Sequence, residues 1–320
     1  MALTINTNLS SMIVQNNLTK ATSKLNSAIE RMTTGYKINH ASDNAAGYSI
    51  ARNWEAQLGS LDIAADNAAT GADMLSTLED NYALISSHVQ RVRDLTEQAA
   101  NGTYGTQSLK AIQSEITARL EEVNRIAANC EFNGISLMAG GTTTQAVQGL
   151  NIQVGIDGNS DKSSIHLDKS LFAAGDVKNL FSVSSEAGYT DYTFATPNDA
   201  AKVIEQLSKD CAGLNDERNA DGTLKNGKHS ASGMLTYLDR VINEISSRVT
   251  TLGAAQNRIE SAVESISVQS ENITSSLSTL RDADVAQESS NYIKAQILQQ
   301  ASATLLATAN QSPSIALNLL

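Results

Sequence analysis

Apolar residues recur at alternating spacings of three and four residues in the C-terminal part of the chain. A heptad seam of this kind is typical of helices that pack along their whole length. The pattern predicts one long helix over residues 235–280, longer than the helices of ordinary globular domains. The seam comprises Leu235, Leu238, Ile242, Ile245, Val249, Leu252, Gln256, Ile259, Val263, Ile266, Ser270, Ile273, Leu277 and Leu280.

Two further helical seams lie in the N-terminal half. The longer one breaks the alternation of three- and four-residue spacings once, because the three-residue step from Leu75 to Leu78 directly follows another one. Such a stammer is expected to overwind a coiled coil locally. The shorter one follows the Gly-containing loop 101–105. The longer seam comprises Leu58, Leu61, Ala65, Ala68, Ala72, Leu75, Leu78, Tyr82, Ile85, Val89, Val92, Thr96 and Ala99, and the shorter one Leu109, Ile112, Ile116, Leu120 and Val123. The three seams predict three helices that can pack antiparallel.

Both ends of the chain carry sparser apolar stripes among Asn, Ser and Gln side chains. Helices of this composition are only marginally stable alone and need a partner surface. We therefore expect the ends to pair with each other and to bury their stripes against neighbouring copies of the chain. The candidate assembly residues are Leu18, Leu25, Ile29, Leu298, Leu305 and Leu306.

The middle of the chain alternates as strands do. Apolar and polar residues alternate over 152–156 and again over 165–167, with Asp157, Gly158 and Asn159 between them. This pattern predicts a β-hairpin. Residues 172–234 are rich in Gly, Ser, Asp and Asn and show one short helical patch near Ala200 to Leu207. We interpret them as a small surface insertion, and local disorder is equally compatible with their composition.

These elements predict a mainly α fold, an elongated antiparallel helical bundle or coiled coil with a small β-hairpin region, a short irregular insertion and paired terminal helices. Only two prolines occur, and residues 1–196 contain none, so long helix interiors are permitted. The predicted domain order is an N-terminal helix segment 1–45, rod helices 46–145, the hairpin 146–171, the surface insertion 172–234, the long rod helix 235–280 and a C-terminal helix segment 281–320.

Charge and hydropathy restrict the partners. The net charge of -11 argues against nucleic acid and anionic membranes, because both attract basic surfaces. The first residues lack a basic segment followed by an apolar one, and no stretch approaches the length of a transmembrane helix. We expect neither a cleavable signal peptide nor a membrane span. A cytoplasmic protein and a protein exported by a dedicated apparatus are both compatible with this.

Candidate chemistry is sparse. The four histidines are scattered, and no nucleophile elbow or phosphate-binding loop occurs, so we expect no catalytic site and no cofactor. Asp157, Asn159, Asp161 and Asp168 match a calcium-loop spacing, but Lys162 occupies the position of the required glycine, and we assign no metal. Cys130 and Cys211 lack metal-ligand or redox-motif spacing, and the sequence leaves their redox state open.

Short strings at both ends of the chain resemble bacterial flagellin, in the order in which that family carries them. Departures include Tyr36 and Lys37, Asn44 in place of an Asp, Trp54 and the two cysteines, and residues 172–234 match nothing in the family. The matching strings are 5–8, 25–32 (LNSAIERM), 35–39, 41–47 (ASDNAAG), 90–95 (QRVRDL), 119–134 (RLEEVNRIAANCEFNG), the hairpin 152–167, 282–284, 295–301 (AQILQQA) and 309–311.

The resemblance implies a structural subunit of the flagellar filament, the extracellular propeller for motility. It implies secretion as an unfolded chain, addition at the distal tip beneath a cap, and self-assembly into a helical polymer. The implied partners are other copies of the chain, an export chaperone at the C-terminal segment, and the filament cap and hook–filament junction proteins. A hook–filament junction protein, a related secreted helical protein and a cytoplasmic coiled-coil adaptor are the alternatives.

The string QRVRDL raises a question about Leu95. On a helix this residue lies about 90° from the centre of the nearby seam. Either the apolar face is simply wide, or Leu95 makes a contact outside the chain. By resemblance to flagellins recognised by Toll-like receptor 5, Gln90, Arg91, Leu95 and Glu115 match receptor-contacting positions. Ser and Thr within 182–196 are either plain loop hydroxyls or, by the same resemblance, acceptors of O-linked sugars.

Overall fold

The computed structural model describes residues 8–138, 149–157, 163–181, 200–214 and 231–318. Its contacts divide the chain into two compact units. The terminal unit comprises Met1–Ser60 and Val268–Leu320, and the central unit comprises Leu61–Ser267. The Ser/Thr-rich segment 182–196 lies outside the described residues.

Helices dominate both units, as the seams predicted, and the mainly α fold is confirmed. The helices are α1 (Leu9–Thr34), α2 (Ala45–Ala100), α3 (Thr106–Asn129), α4 (Val177–Phe181), α5 (Ala200–Cys211), α6 (Ala231–Arg281) and α7 (Val285–Asn318), with a 3-10 helix at Lys169–Phe172. The strands are β1 (Glu131–Phe132), β2 (Ile135–Ser136), β3 (Leu150–Gln153) and β4 (Ser164–Leu167).

In the terminal unit α1 and α7 pack against each other, and capping residues explain where α1 begins and ends and where α7 begins. The side chain of Asn8 caps α1 by accepting a hydrogen bond from the backbone N–H of Ser11. Gly35 ends α1 in the left-handed conformation, with φ of 76°. Asp284 caps α7 by accepting from the backbone N–H groups of Ala286 and Gln287.

The connections on either side of this helix pair are joined to each other. Tyr36 forms an antiparallel bridge with Asp282, and Ala283 N donates to Gly35 O at 2.8 Å. The guanidinium of Arg281 lies 4.0 Å from the centre of the Tyr36 ring and forms an ion pair with Glu55 of α2.

Trp54 of α2 lies beside these connections in the terminal unit. It is half-buried and lines a groove together with Lys37, Ile38 and Thr279. Two of these lining residues are joined to each other, because Lys37 Nζ donates to Thr279 O at 2.9 Å.

The buried apolar side chains described in the central unit form a hydrophobic core, and the predicted seams supply much of it. From Leu61 to Ala99, every longer-seam position except the half-buried Ala65 and Ala72 is buried. From Leu235 to Ile266 of α6, the seam positions alternate between buried and partly buried, except that Val263 has 38% of its surface exposed. The polar seam residue Gln256 is accommodated because its Nε2 donates to Glu79 Oε2 at 2.8 Å.

The described part of the central unit also contains two antiparallel hairpins. β3 and β4 pair with Ile152 opposite Ile165 and Leu150 opposite Leu167, which confirms the predicted hairpin. Ile152 packs directly on Gly71 of α2, where a β-carbon would overlap its side chain. β1 and β2 form a second, shorter hairpin that the sequence pattern did not reveal.

The described parts of the predicted surface insertion, 172–181, 200–214 and 231–234, differ from that interpretation because they contribute to the core. Phe181 is buried and packs on Tyr237 of α6, with ring centres 5.6 Å apart. The helical patch predicted near residues 200–207 is confirmed as α5, whose Leu207 is buried. Helical spacing of apolar residues within α4 and α5 explains the burial, since each short helix has one apolar face.

Candidate functional site: an assembly surface

The seam between α1 and α7 is built from small side chains. Ala21 and Ala28 are the buried residues of α1, and Ala295, Ser302 and the ion-paired Glu288 are buried on α7. Small residues leave little apolar area between the helices, so the pairing itself contributes only a modest hydrophobic stabilisation.

Polar contacts set the register of the pair. From one end to the other they join Asn8 Nδ2 to Ala309 O (2.8 Å), Ser11 Oγ to Asn310 Oδ1 (2.7 Å), Gln299 Nε2 to Thr22 Oγ1 (3.2 Å) and Arg31 to Glu288 (3.4 Å). From Ser11 to Arg31 along α1, the partner residue on α7 moves back from Asn310 to Glu288, so the two helices run antiparallel.

The large apolar residues of the same helices face outward. Leu305 is 57% exposed and Ile297 is 59% exposed, values usual for charged side chains. An apolar surface of this kind marks a protein interaction site. The exposed residues are Leu9, Met12, Ile13, Ile29 and Met32 on α1, and Val285, Ile293, Ile297, Leu298 and Leu305 on α7.

Three of the six predicted assembly residues belong to this exposed set. Ile29, Leu298 and Leu305 are exposed, whereas Leu18, Leu25 and Leu306 are half-buried. The sequence interpretation overlooked other members of the set, although a usable signal existed. Leu9, Met12 and Ile13 have the i, i+3, i+4 spacing of one helical face, and Ile293 and Ile297 are four residues apart.

A second surface lies on α2 and α3 in the central unit. Gln90 and Arg91 are exposed on α2, and Arg91 Nε donates to Glu115 Oε1 of α3 at 3.0 Å. Arg119 lies 3.8 Å from the same carboxylate oxygen. The structure therefore brings together three of the four residues that resemble receptor-contacting positions.

Leu95 is the exception, and the idea that it points away from the core is wrong. Its side chain is only 2% exposed and belongs to the core. The reason is that α2 lies between two helices in this region. Arg91 pairs with α3, and Arg93 Nε pairs with Asp239 Oδ1 of α6 at 2.6 Å. The buried arc of α2 is therefore wider than a two-helix seam, which is the alternative the sequence left open.

Within the described ranges, no group of three or more His, Cys, Asp or Glu side chains is placed to hold a metal ion. Asp168, one of the residues in the calcium-like spacing, caps the 3-10 helix. Its carboxylate accepts a hydrogen bond from the backbone N–H of Ser170, and this bond lowers the pKa of Asp168. Asn159 and Asp161 lie outside the described residues. Cys130 and Cys211 are free thiols, and burial raises the pKa of Cys130 to about 11 and that of Cys211 to about 12.

Comparison with known proteins identifies the family of the protein that carries this surface. Residues 5–143 match the model of the bacterial flagellin N-terminal helical region, and residues 235–320 match that of the C-terminal helical region. The chain is a member of the bacterial flagellin family. Its sequence is 37% identical to Flagellin of Xenorhabdus nematophila, 32% identical to Flagellin C of Vibrio cholerae serotype O1 and 29% identical to Polar flagellin F of Vibrio parahaemolyticus, with full coverage of both chains each time.

Flagellins are structural proteins of the extracellular flagellar filament and are not enzymes. The chain is therefore a filament subunit that polymerises with copies of itself, and the adaptor alternative is excluded. None of the helices in the described ranges is both long and apolar enough to cross a membrane.

Proposed function

We propose that the terminal unit of this flagellin completes its hydrophobic contacts only between subunits, so that ordering of its two ends is coupled to filament growth. The observation that carries this proposal is the contrast between the small residues inside the α1–α7 seam and the large apolar residues outside it. The ordering entropy of the ends is then offset when neighbouring copies bury the outer face.

This mechanism fits a chain that is exported unfolded and added at the distal tip beneath a cap. Before assembly, the apolar residues of segment 281–320 need cover, because exposed patches of this kind promote aggregation. An export chaperone at the C-terminal segment provides that cover and releases the same residues for subunit contacts. The cap and the hook–filament junction proteins are the remaining partners, and they meet the polymer at its two ends.

Substitution of the exposed face tests the proposal. Ile297→Ser with Leu305→Ser removes two outward side chains and leaves the small-residue seam intact. We expect the purified variant to keep the helical circular dichroism of the wild type but to form no filaments in electron micrographs. Gln300→Ser, at an exposed position of the same helix, is the matched control and should polymerise normally. Normal filaments from the double variant would contradict the proposed mechanism.

Brief proteolysis gives an independent test. In the free subunit we expect cleavage within residues 1–45 and 281–320, which leaves a helical core that cannot polymerise. The assembled filament should resist the same treatment. A trimmed core that still forms filaments, or ends whose amide exchange is as slow as that of the central unit, would show that assembly does not depend on the ends.

A second function is favoured by the clustering of Gln90, Arg91 and Glu115. We propose that this face is the contact surface for Toll-like receptor 5, with Leu95 holding α2 in place from behind. Arg91→Ala should reduce receptor signalling without lowering the unfolding temperature, since both members of its ion pair are partly exposed. Arg125→Ala removes a comparable exposed Arg–Glu pair within α3 and is the control. Equal signalling by the two variants would place the contact elsewhere.

A further inference from the structure

The sequence contains three Asn–Gly pairs, and the structure describes two of them in contrasting surroundings. Asn101–Gly102 lies in the loop between α2 and α3, and Asn133–Gly134 forms the turn between β1 and β2. Asn226–Gly227 lies outside the described residues. Both described asparagines are exposed to water, so a difference in their chemistry must come from the backbone.

An Asn–Gly pair can lose ammonia without an enzyme. The backbone nitrogen of the glycine, once deprotonated, attacks Cγ of the asparagine side chain and forms a five-membered succinimide, while the side-chain nitrogen leaves as ammonia. Water then opens the ring at either carbonyl and gives aspartate or isoaspartate. Ring closure requires the peptide between the two residues to rotate, and a glycine permits it because no β-carbon obstructs the attack.

At Asn101 the backbone is lightly held. Asn101 N donates to Gln98 O at 3.3 Å, and Tyr104 N donates to Asn101 O at 3.4 Å. Both distances exceed the usual range for N–H···O bonds. Space is also available, because nothing lies within 4 Å of a β-carbon placed on Gly102.

At Asn133 the backbone is fixed. Asn133 has φ of 50° and Gly134 has φ of 77°, which is the geometry of a two-residue type I′ turn. Phe132 and Ile135 pair across the turn, and two residue pairs further along the hairpin Leu137 N donates to Cys130 O at 2.9 Å. Rotation into the attacking geometry would require this hairpin to open locally.

We propose that Asn101 is a site of spontaneous succinimide formation and deamidation in this flagellin, and that the hairpin protects Asn133. The product adds one negative charge directly after the C-terminus of α2, where the helix dipole already disfavours anions. The exposed carboxylate of Glu97, one helical turn earlier, disfavours it further. The modified loop therefore holds the last turn of α2 less firmly. Because the reaction is spontaneous, the fraction of modified chains increases with the age of the protein.

Peptide mapping by mass spectrometry tests the selectivity. The purified full-length chain is incubated at mildly alkaline pH, which favours deprotonation of the glycine nitrogen, and is sampled over time. We expect aspartate and isoaspartate at position 101 to accumulate at least about tenfold faster than at position 133, which corresponds to a difference in activation free energy of about 1.4 kcal/mol. Equal rates, or faster conversion at Asn133, would overturn the proposal.

Gly102→Ala supplies the matched control, because its added β-carbon has open space and leaves the fold unchanged while it obstructs ring closure. Conversion of Asn101 should slow several-fold in this variant, and conversion of Asn133 should stay the same. An unchanged rate at Asn101 would mean that the side-chain amide is hydrolysed directly and that no succinimide forms. Amide exchange over residues 98–105, compared between fresh and aged wild-type protein, should quicken with age, and unchanged exchange would overturn the predicted loosening of α2.

Discussion

Arg31 and Glu288 form an ion pair between α1 and α7, with 3.4 Å between Nη1 and Oε1. Arg31 lies in the last turn of α1, and Glu288 lies in the first turn of α7. Each charge therefore also complements the dipole of its own helix. Because the carboxylate of Glu288 is almost buried, removal of Arg31 would leave it poorly solvated.

Charge reversal at this pair should affect assembly. Arg31→Glu places two carboxylates together and opposes both helix dipoles, so we expect destabilisation of the α1–α7 pair by about 1 to 2 kcal/mol and a several-fold higher critical concentration for polymerisation. Adding Glu288→Arg restores the attraction and should recover part of the loss. Sedimentation of polymer at graded protein concentrations measures both effects. A double variant no better than the single one would show that the two side chains are not coupled.

Leu95→Ala should destabilise the isolated subunit. The side chain is buried in the central core, so its truncation is expected to cost about 2 to 5 kcal/mol. Leu84→Ala on the same helix removes a side chain that is 52% exposed, and it should change the free energy of unfolding by less than about 0.5 kcal/mol. Urea denaturation of both variants provides the measurement, and similar effects would contradict the burial of Leu95.

Two glycines of α2 should respond in opposite ways to the same substitution. Gly59→Ala adds a β-carbon in open space, and we expect stabilisation by up to about 1 kcal/mol from the higher helix propensity of alanine. Gly71→Ala forces the buried side chain of Ile152 to move, and we expect destabilisation by about 1 to 3 kcal/mol. Thermal unfolding of the two variants checks the signs, and stabilisation by Gly71→Ala would mean that the hairpin is not held against α2.

The buried thiols predict a loss of stability at alkaline pH. Burial raises the pKa of Cys211 from 9.0 to about 12, so above pH 9 the folded state retains a proton that the unfolded state has lost. Stability from this group is complete below pH 9 and is lost as the pH rises from there through about 12. The free energy of unfolding of Cys211→Ala should therefore fall less steeply over this range than that of the wild type. Parallel curves would show that the thiol does not contribute.

The sequence predicted the long helices well because burial follows their heptad spacing directly. Leu75, Leu78 and Ile85 are all fully buried on one side of α2, across the three-residue step. The β3–β4 hairpin was equally visible, since alternation over four-residue strands has one dominant explanation. In both cases a local period determined which face is buried.

The predictions failed where a neighbouring element, and not the local period, decides burial. Leu95 is buried because α2 has partners on two sides, which the angle within one helix does not reveal. Phe181 is buried because Tyr237, far away in the sequence, packs on it. On α1 and α7, the small residues made the inner face difficult to recognise, because alanine contributes little to an apolar pattern. Many of the large apolar residues of these two helices, which dominate the sequence pattern, are exposed to solvent in the single chain.

Trp54 makes the terminal unit optically separable from the rest of the chain. It is the single tryptophan of the sequence, and it belongs to the terminal unit. Indole emission excited selectively therefore reports on the groove beside Lys37 and Thr279, whereas far-ultraviolet circular dichroism follows every helix at once. Changes in the terminal unit during polymerisation can therefore be followed by tryptophan fluorescence without a label. The central unit contains no tryptophan and does not contribute to this signal.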